Sequence, residues 1–216
     1  MRTVVVAHGD VDASDRDLVV GAGTVIAADG GAFALERWGI VPDLVVGDLD
    51  SLGPERARAL GARGAKVVPF PPAKDESDTE LAMRYALATG ADDIVLLGLF
   101  GGERLDHALA NAMLVADPAY RDAHVRAVRG ATQIRALYGP GELAITAHVG
   151  DVVTLLPVAG DAGGVRTSGL RYPLDGETLR FGRSRGLSNL VASLPASVSL
   201  ESGTLLVIEI REGGST

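Results

Sequence analysis

Asp48 and Asp50 stand two residues apart, directly after an apolar run, Leu44 to Val46, and a glycine, Gly47. In an extended segment alternate residues share one side, so the two carboxylates are expected to aim at a common point. Carboxylates that face each other repel unless a cation lies between them, and hard oxygen ligands of this kind suit Mg²⁺. Taken alone, the stretch reads equally well as a solvated, Asp-rich turn.

Three other stretches have the same build. Ala28-Asp29-Gly30-Gly31-Ala32 is a strand end that runs through two glycines into a helix, whose N-terminus can receive a phosphate. Lys74-Asp75-Glu76-Ser77-Asp78-Thr79-Glu80 carries the Ser77/Glu80 spacing of a capping box, which accounts for those two residues but not for Asp75, Asp78 or Lys74. Gly101-Gly102-Glu103-Arg104-Leu105-Asp106-His107 supplies a guanidinium whose planar fork fits phosphate oxygens. Asp106 could be only a helix cap, and His107 only a helix-face residue. Four independent caps are possible, yet a single Mg²⁺–polyphosphate site accounts for all four stretches together. Later in the chain, Ser188 and Asn189 form a neutral hydrogen-bonding pair of the sort that selects a heteroaromatic ring.

The elements that must position these groups follow from the hydrophobic pattern. Up to about residue 120, strands at Thr3–Ala7, Val25–Ala28, Leu44–Val46, Lys66–Val68 and Ile94–Leu99 alternate with helices at Gly31–Trp38, Glu55–Leu60, Thr79–Ala88 and Asp106–Ala116. That alternation implies a doubly wound, mostly parallel sheet, with ligands at its carboxyl edge. Past a boundary near Asp117–His124 the texture changes to short strands: Val125–Val128, Gln133–Leu137, Leu143–Ala147, Val152–Leu156, Thr178–Phe181, Val198–Leu200 and Leu205–Ile210. Turn residues separate them, which suggests an antiparallel sandwich. The expected fold is therefore α/β: a Rossmann-like domain over 1–122 and an antiparallel β-sandwich over 123–216, with a frayed tail at Glu212–Thr216.

Composition narrows the function. Of the formal net charge of −8, residues 1–120 carry −9 and the remainder +1, so the first part repels nucleic acid and favours cations or metal-bound nucleotides. Cysteine is absent, which excludes disulfides, thiolate zinc sites and cysteine nucleophiles and fits a reducing cytoplasm. No stretch approaches the ~18 apolar residues of a membrane span. Neither nucleic acid nor membrane is an expected partner.

In this order, the four acidic stretches resemble thiamine pyrophosphokinases, and so do Gly169-Leu170-Arg171-Tyr172-Pro173-Leu174 and Gly186-Leu187-Ser188-Asn189 in the second part. The resemblance covers essentially the whole chain. It implies a homodimer with thiamine held where two subunits meet, and transfer of the diphosphoryl group of ATP to the hydroxyl of thiamine with release of AMP. It also implies that Asp48, Asp50 and Asp78 hold Mg²⁺, supported by Asp29 and Asp75. Gly30, Gly31, Gly101, Gly102 and Arg104 fall in the ATP-phosphate stretches by the same likeness. Arg104 and Asp106 lie near the attacking hydroxyl, and Lys74, Ser188 and Asn189 near thiamine. Which carboxylate takes the hydroxyl proton, if any, stays open.

Departures from the family pattern are Leu49, where phenylalanine is commoner, Ser77, where threonine is, and the extra Glu103, which could shift Arg104. No tryptophan is available in the second part to stack on a ring. The alternatives are a diphosphokinase of the same fold acting on another alcohol, such as a hydroxymethylpterin, and a non-catalytic sensor of thiamine or nucleotide.

Overall fold

A computed structural model describes residues 1–102 and 104–212. The chain is mixed α/β and divides into two compact units, one of residues 1–114 with 122–130, the other of 115–121 with 131 onward.

The first unit runs β1 (Arg2–Val6), α1 (Arg16–Val20), β2 (Thr24–Ala28), α2 (Ala32–Arg37), β3 (Leu44–Gly47), α3 (Pro54–Ala62), β4 (Lys66–Pro69), α4 (Asp78–Ala88), β5 (Asp93–Leu97), α5 (Leu105–Val115) and β6 (His124–Arg129). All six strands are parallel, in the order β4-β3-β2-β1-β5-β6. The order reverses at β1, whose two neighbours are β2 and β5, and that is where open parallel sheets bind ligands. Short β-branched runs form the strands because both of their faces are covered. Val4, Val6, Ala27, Val45 and Val95 cluster with Val19, Leu35 and Leu60 of α1, α2 and α3. The alternate residues Val5, Ile26, Val46 and Ile94 are also fully buried; they face the other way, the side on which α4 packs against β1, β2 and β3.

Local chemistry sets the helix starts. Pro54 opens α3, and Ser77 caps α4 by accepting from Glu80 N at 3.2 Å. Half of the expected capping box forms: Glu80 turns its carboxylate to Arg84, one turn on. The Val125–Val128 strand, expected in the second part, is β6 and pairs in parallel with β5. The reason is topological. Helix α5 supplies the crossover that a parallel pair requires, so β6 completes the last βαβ unit.

The second unit is antiparallel: β7 (Thr132–Tyr138), β8 (Gly141–Ala144), β9 (Val152–Ser168), β10 (Asp175–Leu179), β11 (Asn189–Leu190), β12 (Ser197–Leu200) and β13 (Ser202–Ile210). Strand β9 is the spine at 17 residues, far longer than the five expected over Val152–Leu156. Its first half pairs with β13 and β11 and its second half with β10 and β12. The change falls where Ala159 and Gly160 take φ of 61° and 122° and the register with β13 shifts. Leu155, Val165, Leu179, Val198, Leu205 and Val207 form the core of this unit. Glu209 on β13 is buried, pairs with Arg135, and accepts from Thr146 N at 2.6 Å and Ala147 N at 2.8 Å.

Candidate active site

Four loops at the carboxyl ends of β1, β2, β3 and β5, with the start of α4, line one cleft of about 530 Å³ in the first unit. Asp29 lies at its floor. It is 3% exposed, takes φ of 42°, and its two oxygens accept from Ser51 N at 3.1 Å and Leu52 N at 3.2 Å. Asp29 thereby ties the loop after β3 to the end of β2. The adjacent glycines are dictated by packing on β1: a Cβ on Gly31 would lie 1.9 Å from the Val6 carbonyl oxygen, and one on Gly30 would lie 2.5 Å from the His8 ring.

After β3, Gly47 at φ 148° leaves room for two carboxylates, since a Cβ there would meet Asp29 Cβ and Asp78 Cγ, each at 2.9 Å. Leu49 then takes φ of 63°. The segment is a turn, not the extended strand on which the expected common aim of Asp48 and Asp50 depends. Asp50 instead donates its N–H to Asp48 Oδ1 at 3.2 Å and accepts from the Ser51 hydroxyl at 3.1 Å. The carboxylates that converge are Asp29, Asp48 and Asp78, each offering one oxygen within 4.8 Å of the others. Asp50 lines the same cleft outside that trio, and Asp75 is exposed on the loop before α4.

Lys74 enters this cluster. Its ammonium is 3.1 Å from Asp48 Oδ2 and 3.1 Å from Asp78 Oδ1, with a side chain only 10% exposed. Burial pulls the Lys74 ammonium down, but Asp78 and Asp48 outweigh it and the net shift is upward. Burial likewise pushes Asp48 up, but the Asp50 N–H and Lys74 prevail and hold it below the usual aspartate range. Asp78 goes the other way. Its burial dominates the pull of Lys74, the charges of Asp48 and Asp29 add to the rise, and its carboxyl sits above that range.

Asp78 Oδ1 is buried and, among the described residues, receives no hydrogen bond; the Lys74 contact is close but misdirected. An orphaned carboxylate oxygen beside two more carboxylates is the arrangement a divalent cation would complete. The donor set of hard oxygens fits Mg²⁺.

Arg104, at the cleft, clasps Asp106, which lies outside the cleft lining, Nε to Oδ1 at 2.9 Å and Nη2 to Oδ2 at 2.7 Å. That bidentate hydrogen bonding holds the Asp106 carboxyl well below its ordinary range and raises Arg104. Arg104 lines the cleft together with Gly101 and Gly102. Glu103, expected to shift Arg104, lies outside the described residues. His8 and Asn111 also line the cleft and were missed in the sequence. His8 follows the end of β1, the same strand-end rule that singled out Asp29 and Asp48. Asn111 is held by donating to Leu99 O at 3.0 Å and carries no sequence signal beyond its place on α5.

Ser188 and Asn189 belong to the second unit. Ser188 takes φ of 56° and donates its N–H to Thr154 Oγ1 at 3.0 Å. Asn189 accepts from Tyr172 N at 3.0 Å and donates to Tyr172 O at 2.7 Å, so its amide is spent on holding that loop.

Comparison with known proteins gives consistent results. Residues 16–127 match the family model "Thiamin pyrophosphokinase, catalytic domain", and residues 142–205 match "Thiamin pyrophosphokinase, vitamin B1 binding domain". The chain is 27% identical to thiamine pyrophosphokinase of Bacillus subtilis over 85% of both chains. It is 25% identical to thiamine pyrophosphokinase 1 of Oryza sativa over 79% of this chain and 67% of that one. Among solved structures, thiamine pyrophosphokinase from Bacillus subtilis superposes with a TM-score of 0.84 at 26% identity, covering 98% of this chain and 100% of the other. The enzyme from Geobacillus thermodenitrificans gives 0.83 at 25% identity over 100% of both.

Proposed function

The chain belongs to the thiamin pyrophosphokinase family, and we propose that it performs that reaction: transfer of the diphosphoryl group of ATP to the hydroxyl of thiamine, giving thiamine diphosphate and AMP. The observation that carries this reading is the convergence of Asp29, Asp48 and Asp78 around an orphaned Asp78 oxygen, within the segment that matches the catalytic-domain model. The pterin and sensor alternatives find no support in the family matches.

Bound Mg²⁺ would supply charge neutralisation for the triphosphate, which otherwise could not approach so acidic an edge. Asp48 and Asp78 are its proposed holders. Asp29 supports them from the floor, and Asp50 adds an oxygen from the cleft wall. Gly30, Gly31, Gly101 and Gly102 bring backbone close to the phosphates, with Asp75 at the outer edge. Arg104 reaches a phosphate by exchanging its Asp106 partner for phosphate oxygens, which frees the Asp106 carboxylate beside the attacking hydroxyl. Alignment of that hydroxyl with phosphorus is the main task left to the protein.

In our reading the first unit, with β6 included, is the Rossmann-like catalytic domain, which moves the expected 122/123 boundary past β6, and the second unit is a β-sandwich that binds thiamine and forms a cytoplasmic homodimer with its site at the subunit interface. Outside that β-rich domain, an apolar stripe on α5, the exposed Leu105, Leu109 and Met113, adds surface that a second copy would cover. With Asn189 engaged at Tyr172, Ser188 is the residue of that pair free to address thiamine, and a Lys74 contact to thiamine requires its ammonium to leave Asp48 and Asp78. The test is to supply ATP, Mg²⁺ and thiamine and separate the nucleotides. AMP formed in step with thiamine diphosphate supports the proposal; ADP, or no turnover, refutes it.

A further inference from the structure

The ammonium of Lys74 and a divalent cation would compete for the same oxygens. Lys74 contacts Asp48 Oδ2 and Asp78 Oδ1, each at 3.1 Å, and both residues belong to the trio that would hold a metal. Two cations that close to one carboxylate pair repel strongly where water is scarce.

The members of the cluster are not equally free to move. Asp29 is fixed by Ser51 N and Leu52 N, Asp48 by Asp50 N, and Asp78 by the first turn of α4 against Gly47. Lys74 alone combines a four-carbon stem with a place on an irregular loop, between the turn at 72–73 and α4. We propose that Lys74 is a resident placeholder for the metal: its ammonium holds Asp48 and Asp78 together in the metal-free protein and gives up both carboxylates when a divalent cation binds.

The arrangement solves a problem that the cleft poses. Three carboxylates this close would force one another apart or take up protons if left without a cation. Lys74 keeps the trio assembled between turnovers. The consequence is a metal affinity held down by an internal competitor, and a released ammonium inside the cleft into which the triphosphate is proposed to bind. The inference rests on the reading of Asp29, Asp48 and Asp78 as a metal site.

The chain suits a direct test, because Lys66 and Lys74 are its only lysines. Lys66 is exposed on β4, near the Tyr85 ring, and serves as an internal control. The folded wild-type protein, free of nucleotide, is treated with formaldehyde and a mild reductant with and without Mn²⁺. Methylation at each lysine is followed by peptide mass spectrometry, and Mn²⁺ occupancy by the spin resonance of the free ion. The expected result is slow methylation of Lys74 without metal and an unchanged rate at Lys66 throughout. With Mn²⁺ the Lys74 rate rises about tenfold, the scale of one charge-assisted hydrogen bond being broken.

If Mn²⁺ binds in a manner abolished by Asp48→Asn while Lys74 stays protected, the exchange is wrong and the metal site stands. If no Mn²⁺ binds, or if Asp48→Asn leaves its binding intact, the metal-site reading falls and the exchange falls with it. As a second measurement, folded Lys74→Met is expected to bind Mn²⁺ about tenfold more tightly than wild type. Equal or weaker binding contradicts the competition.

Discussion

Glu209 and Asp78 are both carboxylates drawn out of water beside one basic side chain, Arg135 in the second unit and Lys74 in the first. Their treatment differs. Besides Arg135, Glu209 accepts from Thr146 N, the Thr146 hydroxyl, Ala147 N and Gln133, so both of its oxygens are served. Burial raises its pKa, yet Arg135 and Thr146 more than reverse this, and the net shift is downward. Asp78 has a buried oxygen that, among the described residues, receives no hydrogen bond and has only the poorly directed Lys74 ammonium beside it, and burial leaves its pKa raised. A saturated buried acid is part of the scaffold. An unsaturated one beside two further acids is the arrangement that a bound cation would complete.

The contrast can be broken most forcefully through Glu209. Glu209→Ala leaves the half-buried Arg135 without its carboxylate partner, and we expect a loss of about 3–5 kcal/mol, seen as a lower midpoint in urea or a melting temperature down by ~10 °C. A change below ~1 kcal/mol would remove the scaffold half of the comparison. Asp48→Asn is the counterpart: turnover falls at least ~100-fold while the metal-free melting temperature moves by no more than ~3 °C. Near-wild-type turnover in that folded variant contradicts the metal assignment.

The two carboxylates also call for opposite behaviour in acid. The folded pKa of Glu209 is depressed below the ordinary glutamate value of 4.5, so its stabilisation is complete above that pH and is lost as pH falls through the folded value. The difference in melting temperature between wild type and Glu209→Gln is therefore expected to be constant at neutral pH and to shrink below about 4.5. A gap that persists unchanged in acid would mean that the charge of Glu209 contributes nothing. The smallest effect is expected at Asn189, whose amide oxygen accepts from Tyr172 N and whose amide nitrogen donates to Tyr172 O. Asn189→Ala should cost about 1 kcal/mol and raise KM for thiamine more than it lowers kcat. A large fall in kcat at unchanged KM would put Asn189 in the chemistry.

The strand ends are readable from sequence because β-branched runs stop at glycine and acid, and the parallel sheet gathers those stops on one edge. What stays hidden depends on backbone angles and distant contacts. Nothing about Leu49 announces φ of 63°, so the sequence pattern aligns Asp48 with Asp50, and it is the family resemblance that makes Asp29 a supporter where the fold gathers it into the trio. The pairing of Lys74 with Asp48 spans 26 positions and leaves no local mark. The pattern also cuts β9 short, because Pro157, Gly160, Gly163 and Gly164 usually end strands, whereas here a register shift absorbs the interruption. The Rossmann-like and β-sandwich labels rest on the same patterns, which report alternation better than they report how one long strand divides its pairings.

Whether the aspartate trio holds the reactive metal can be read from crystals grown with thiamine, a non-hydrolysable ATP analogue and Mn²⁺, measured at the manganese absorption edge. We expect an anomalous peak about 2.1–2.2 Å from oxygens of Asp48 and Asp78, in contact with phosphate oxygens and with Lys74 withdrawn. A peak elsewhere, with Lys74 still bridging the two carboxylates, would contradict the assignment.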